Sequence, residues 1–409
     1  MWEKLAKKEG IKKEKLQRGV KQGRIVVVKN SHREIEPLAI GEGTKVKVNA
    51  NLGASPDFSN LKQELEKAKI AEEYQADTLM DLSISANLDE IRKKILKETK
   101  LPLGTVPIYQ AFLEKKVDMS AESILKVIER HCQQGVDFLT LHSGIRKNLI
   151  KKLPERLIPI TSRGGSFIAA WMIKNQEENP LWENFSEILE IVKEYEVVIS
   201  LGDALRPGSI HDASDALQFQ ELMNLGQLTK KARKAGVGVI IEGPGHVPLD
   251  QIQMNVELEK KLCDHAPFYV LGPLVTDVAL GYDHITGAIG GALAGMYGAD
   301  FLCYVTPSEH LGLPSKEEVK EGVIASKIAA HAADLVRLRD YQLDNEVSQA
   351  RKNLNWSKLF ELCATPEIKE KYQGLENKKG CTMCGEYCAL KIINEYLKED
   401  RRNDEQLVV

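Results

Sequence analysis

From about Lys45 to Pro307 the chain alternates short apolar runs with longer segments of helical periodicity. Nine runs read as strands: KVKVNAN (45–51), DTLMDLS (77–83), GTVPIY (104–109), DFLTLHSG (137–144), PITSRGG (159–165), VVISLGD (197–203), GVIIEGPGH (238–246), FYVLGPL (268–274) and FLCYVTP (301–307). Most are continuous rather than alternating, the pattern of strands buried on both faces of a parallel sheet. The segments between them read helical. Asn87 precedes Leu88, Ile91 and Ile95, with Glu90 placed for a capping box, and Ser315 with Glu318 opens a helix through Ile324, Ile328 and Leu335. Repeated βα units predict a (β/α)8 barrel, so one of the nine candidates must lie outside it. The expected organisation is a small mixed α/β lead-in over 1–44, which includes RIVVVKN (24–30), the barrel over 45–335, and a polar helical domain over 336–409.

The strand candidates end in polar or glycine-rich residues: Asn49 and Asn51, Asp81 and Ser83, Tyr109, His142, Ser162 to Gly165, Asp203, Glu242 with His246, and His310. In a barrel these ends converge on the C-terminal rim, where active sites form. Strand stops and helix caps explain Ser and Asp, but His, Arg, Glu and Tyr make poor caps. A shared pocket explains the set better.

Composition narrows the class. The 409 residues, 43% of them hydrophobic, suffice for a large barrel with additions. A net charge of −3 gives no electrostatic reason to expect nucleic acid or an anionic membrane surface as partner. The charged start MWEKLAKKEG lacks the apolar stretch of a secretory signal, and no run approaches a spanning helix. Seven cysteines in such a chain read as reduced cytoplasmic thiols.

Three of those cysteines carry the strongest chemical signal. Cys381, Cys384 and Cys388 lie in CTMCGEYC, ahead of a polar helix over 389–400. Three close thiolates can hold three irons of a [4Fe–4S] cluster and leave the fourth open, as radical chemistry on S-adenosylmethionine requires; closed clusters usually have four Cys ligands. A structural zinc knuckle and unliganded thiols remain alternatives, although no His follows closely and Cys363 lies 18 residues upstream of Cys381.

Longer motifs add a resemblance. VKVNANLG, ADTLMDLS, GTVPIYQ, TSRGGS, SLGDALRPGSI, IEGPGHVPL, APFYVLGPL, GYDHITGAIGG and CYVTPSEHLGLP resemble the phosphomethylpyrimidine synthase superfamily and its 5-hydroxybenzimidazole synthase paralogues, from about Arg24 to Lys391. The resemblance implies a radical S-adenosylmethionine enzyme on a (β/α)8 barrel. It implies 5-aminoimidazole ribonucleotide as substrate, an external electron donor, and a homodimer that exchanges cluster domains. Carried over by position, the substrate-binding residues are Asn51, Met80, Tyr109, His142, Ser162, Arg163, Gly164, Asp203, Arg206, Glu242 and Tyr269. His246 and His310 match the family's metal ligands and imply one divalent ion, with zinc the expected metal. Ser162-Arg163-Gly164 offers a hydroxyl, a guanidinium and backbone N–H groups to a phosphate. Arg163 is expected to be buried and Lys47 to be a solvated surface charge.

Several loops depart from the thiamin-pathway pattern. Ser85, Ala86, Asn87 and Ala204 stand at or beside positions where that pattern carries glycine, and Leu280 where it carries proline. Fewer glycines restrict the backbone and add bulk. If these side chains line the pocket, they would reroute the rearrangement. The expectation is therefore a 5-hydroxybenzimidazole synthase, serving the lower ligand of anaerobically made cobalamin. The thiamin enzyme is the alternative, and a non-catalytic cluster or zinc protein a remote one.

Overall fold

The computed structural model describes residues 1–56, 60–85, 87–365, 367–375 and 383–406. It divides into two compact units, Met1–Leu338 and Arg339–Val409.

Among the described residues the first unit holds ten strands. β1 (Ile25–Val28) and β2 (Leu38–Gly41) form an antiparallel pair, with Ile25 opposite Gly41. Helices Trp2–Glu9 and Lys13–Lys21 flank this pair, and Leu5, Leu16, Ile25 and Ala39 bury a small core of their own. The other eight strands are β3 (Lys47–Leu52), β4 (Thr78–Asp81), β5 (Leu103–Thr105), β6 (Phe138–Leu141), β7 (Val198–Leu201), β8 (Val239–Gly243), β9 (Phe268–Leu271) and β10 (Phe301–Cys303). All pair in parallel, and β10 closes on β3 with Phe301 opposite Lys47. The result is the expected (β/α)8 barrel.

The candidate that falls outside the barrel is 159–165. Pro159 removes a ladder donor, and Ser162 instead caps helix Arg163–Asn175, its Oγ accepting the N–H of Gly165 at 3.2 Å. The serine that resembles a strand end in sequence is a helix cap in the structure. The two helix starts also differ. Ser315 and Glu318 form a reciprocal capping box, with bonds of 2.8 and 3.2 Å, ahead of Lys316–Leu338. Asn87 precedes Leu88–Glu98 at φ +63 and makes no side-chain cap bond, so the box expected with Glu90 does not form. Asparagine tolerates that left-handed backbone, which sets its own side chain off the capping geometry.

Aromatic rings fill the barrel interior. Tyr269 stacks on Phe301 at 4.1 Å between centroids, and Phe138 meets Phe301 edge-on at 6.3 Å. Phe138 lies so close to Gly104 that a Cβ there would come within 2.3 Å of its ring. Polar interior residues therefore sit above this plug, toward the strand C-termini. The strand N-termini are sealed by ion pairs with the lead-in. Glu9 meets Lys47 at 2.8 Å and Arg33 meets Asp137 at 2.7 Å, all four residues buried. Lys47 is thus a buried structural partner, contrary to the expected surface charge.

The second unit holds helices Gln342–Lys352, Trp356–Leu362, Ile368–Lys371 and Ala389–Gln406. Asn355 caps the second through the N–H of Lys358, and Asn394 donates to the Lys352 carbonyl, tying the last helix to the first. Among the described residues no helix is long and apolar enough to cross a membrane.

Candidate active site

At the C-terminal end of the barrel lies a cavity of about 80 Å³. Nine of the eleven expected substrate residues line it: Asn51, Met80, Tyr109, His142, Ser162, Asp203, Arg206, Glu242 and Tyr269. Strand register explains the gathering. Asn51 is opposite Met80 across β3–β4, and Glu242 is opposite Tyr269 across β8–β9. The loop after β7 brings Asp203 and Arg206 over the same mouth.

The other two are placed differently. Arg163 is exposed rather than buried. It donates to the Leu82 carbonyl at 3.3 Å, lies 5.3 Å from the centre of the Tyr109 ring, and lines an adjoining cavity of about 140 Å³ with Asn51 and Leu82. As the first residue of its helix it follows the cap, and its side chain lies against Tyr109 and Leu82 without lining the main cavity itself. Gly164 packs under His142, where a Cβ would come within 2.3 Å of the ring. Its role is to let the imidazole approach the helix start.

The electrostatics of the cavity follow from burial. Burial pushes His142 down to about 3, with Arg206 adding to the effect, so the ring is neutral; its Nε2 lies 2.9 Å from Ser162 Oγ. Burial also pushes Asp203 well above the usual carboxylate range, against the pull of Arg206 at 3.3 Å. Glu242 is raised by burial as well, and hydrogen bonds from Thr140 and Ser200 oppose that rise. Burial works against the charge of Arg206, but Asp203 and Glu242 outweigh it and its guanidinium is held more firmly charged. Three buried polar atoms around this mouth have no hydrogen-bond partner among the described residues: His142 Nδ1, Asp203 Oδ2 and Arg206 Nε. Such atoms are costly unless a ligand or water meets them.

Cys303 and Thr140 also line the cavity, and sequence reasoning passed over both. Cys303 accepts from Asn51 Nδ2 at 3.1 Å, and burial pushes its thiol up to about 11. Each lies two residues from an inward-facing neighbour, Phe301 or His142. The two-residue period of a strand could have found them.

His246 and His310 come together, with ring centroids 5.2 Å apart. Asp277 Oδ1 lies 2.7 Å from His246 Nδ1, and Asp283 Oδ2 lies 3.2 Å from His310 Nδ1. A carboxylate bonded at Nδ1 orients an imidazole to offer Nε2 to a metal; Asp277 does this for His246, while Asp283 lies beside His310 without a hydrogen bond, and the two imidazoles suit a divalent ion. Among the described residues no group of three His, Cys, Asp or Glu is arranged to hold one, so other donors would have to complete its coordination. In the second unit, Cys384 and Cys388 are unpaired thiols flanking the single turn Gly385–Tyr387, one exposed and one buried. That donor chemistry fits an iron–sulfur cluster; Cys381 lies outside the described residues.

Comparison with known proteins adds the family. The model of the Radical SAM ThiC family matches residues 1–395. The chain is 54% identical over 396 residues to a phosphomethylpyrimidine synthase of Carboxydothermus hydrogenoformans, covering 93% of this chain and 92% of that protein. It is 51% identical over 405 residues to the protein of that name from Pyrococcus abyssi, covering 96% and 94%. For the one from Methanocaldococcus jannaschii the figures are 50% over 404 residues, 96% and 95%.

These relatives overturn the expected 5-hydroxybenzimidazole product for cobalamin, and the structure supplies the physical reason. None of the described loop positions taken to steer the product lines the cavity. Ser85 and Asn87 border a separate surface groove, Leu280 is 57% exposed, and Ala204 packs against Gly165. Ala86 lies outside the described residues. The substrate expected with that product, 5-aminoimidazole ribonucleotide, is corrected too: the relatives support a substrate of the phosphomethylpyrimidine synthase type.

Proposed function

The chain belongs to the Radical SAM ThiC family and is a radical S-adenosylmethionine enzyme, and from that premise we propose that it is a phosphomethylpyrimidine synthase, a carbon–carbon lyase of thiamin biosynthesis working in the cytoplasm. The observation that carries the reading is identity of 50% to 54% over nearly the whole chain with proteins of that name.

The residues support it in kind. Tyr109 and Tyr269 offer ring faces to a flat substrate. Asp203, Glu242 and Arg206 supply acceptors and a fixed cation, and the partnerless Asp203 Oδ2 and Arg206 Nε are ready to meet ligand polar groups. Ser162 and the start of helix Arg163–Asn175 offer a hydroxyl and backbone N–H groups to a phosphate, with the exposed Arg163 able to swing onto it. The neutral ring of His142 can donate or accept one proton at Nδ1. Cys381, Cys384 and Cys388 are the ligands proposed for a [4Fe–4S] cluster, and His246 with His310 for one divalent ion. A cluster with an open iron supplies the electron that starts radical chemistry on S-adenosylmethionine.

The test is growth. Expressed anaerobically in a strain lacking phosphomethylpyrimidine synthase, the chain should restore growth without added hydroxymethylpyrimidine, and its Cys384→Ala variant should not. Soluble protein with a reconstituted cluster that neither restores growth nor releases 5′-deoxyadenosine would leave only a non-catalytic reading.

A further inference from the structure

Two hydroxyls inside the barrel converge on a single carboxylate oxygen. Thr140 on β6 and Ser200 on β7 are opposite each other in the ladder, and Glu242 follows on β8. Thr140 Oγ1 donates to Glu242 Oε1 at 2.7 Å, and Ser200 Oγ donates to the same oxygen at 2.8 Å. Both hydroxyls are buried in strands that are otherwise apolar, Phe-Leu-Thr-Leu and Val-Ile-Ser-Leu. Valine or alanine would pack there without the cost of burying a hydroxyl, so the hydroxyls need a purpose other than packing. A carboxylate gripped at one oxygen by two rigid strands cannot turn without losing both bonds.

We infer that Thr140 and Ser200 are positioning residues that aim the Glu242 carboxylate into the cavity. This rests on the reading of Glu242 as a ligand contact. Donors to the charged form favour it over the neutral acid. The groups that face Glu242 are Asp203 and Arg206 from the loop after β7, Tyr109 from helix Pro107–Lys115, and Tyr269 on β9. Burial raises the Glu242 carboxyl; after it the two hydroxyls act most strongly, ahead of Arg206, and pull it back down.

The test follows the carboxyl itself in the full-length, cluster-loaded protein without substrate. Difference infrared spectroscopy across a pH titration reads the protonated carboxyl, and Glu242→Gln identifies its band. Thr140→Val and Ser200→Ala should each move that titration up by roughly one pH unit, the size expected for a lost charge-assisted hydrogen bond. The double variant should move it further, and Thr140→Ser, which keeps the hydroxyl, should titrate as wild type. Should Thr140→Val fail to fold, Ser200→Ala, with its smaller change, decides alone. Unmoved titration in a folded Ser200→Ala would overturn the proposal. A shifted titration in a chain that fails the growth test would uphold the positioning role and sink the functional reading, so the two fail separately.

Discussion

The two ends of the barrel bury charge in opposite ways. At the strand N-termini nearly every buried charged atom has a partner. Asp137 accepts from Arg33 at 2.7 Å, from the Leu103 N–H at 2.8 Å and from the Asn30 N–H at 2.8 Å. The Arg33 guanidinium also reaches the carbonyls of Leu101, Leu96 and Thr99. Asp300 meets Lys260 and Arg337, each at 2.7 Å, and these two cations hold its carboxyl below the usual range despite burial. Glu259 and the Nε of Arg233 are exceptions at this end, without a hydrogen-bond partner among the described residues; burial pushes Glu259 up to about 8 against the pull of Lys260 at 3.6 Å. At the C-terminal rim His142, Asp203 and Arg206 each keep a buried atom without a partner. A closed network stabilises a fold, whereas an open one is completed by something that binds. The difference assigns stability to the floor and recognition to the rim.

The largest expected effect breaks the floor. Asp137→Ala should destabilise the protein by about 3–5 kcal/mol, because it leaves the Arg33 guanidinium buried without its anion. Thermal or denaturant unfolding measures this. A loss below about 1 kcal/mol would mean that the floor is no more closed than a surface pair.

At the rim the same kind of change should act on binding instead. Asp203→Asn should weaken binding of phosphorylated hydroxymethylpyrimidine roughly 100-fold, the scale of one hydrogen bond to a charged group. Its melting temperature should fall much less than that of Asp137→Ala, since burial disfavours the Asp203 carboxylate and Glu242 still faces Arg206. Calorimetric titration with parallel melts separates the two effects. Lost stability with unchanged binding would place Asp203 with the floor.

The same contrast explains what could be read in the sequence. Strand ends carry their polarity in one dimension, so the barrel and six of its cavity residues, Asn51, Tyr109, His142, Ser162, Asp203 and Glu242, were legible from apolar runs and their stops, whereas Met80, Arg206 and Tyr269 came from the family resemblance alone. Where a residue's role depends on what lies across space, the sequence misled. Lys47 looked like a surface charge because nothing nearby marks Glu9, 38 positions earlier, as its partner. Ser162 looked like a strand end because caps and strand stops use the same residues. Ser85, Ala204 and Leu280 looked like pocket walls because they lie in loops beyond strand ends, yet none of them lines the cavity. Thr140 and Ser200 stayed hidden inside apolar strands, their purpose visible only with Glu242 between them.

The smallest expected effect tests whether the rim has a floor of its own. Glu221 lies on helix Ala216–Ala235, behind the loop that carries Asp203 and Arg206. Its carboxylate accepts the N–H of Ala204 at 3.1 Å and of Leu205 at 2.6 Å, the two residues between them. Both oxygens are used, as at the opposite end. Burial pushes this carboxyl from 4.5 up to about 8. A raised carboxyl contributes stability that is fully present below about pH 4.5 and is lost as pH rises through about 8. Glu221→Gln stays neutral throughout, but turns an amide N–H toward one of the two backbone donors, at a cost of about 1 kcal/mol. At pH 4 the variant should therefore melt below wild type. The gap should close and then reverse as pH rises from about 4.5 to about 8, because the wild type alone loses stability across that window. Melts of both proteins across that range decide the matter. Curves that stay parallel would mean that Glu221 does not titrate there, and the loop bearing Asp203 and Arg206 would then rest on a permanent charge.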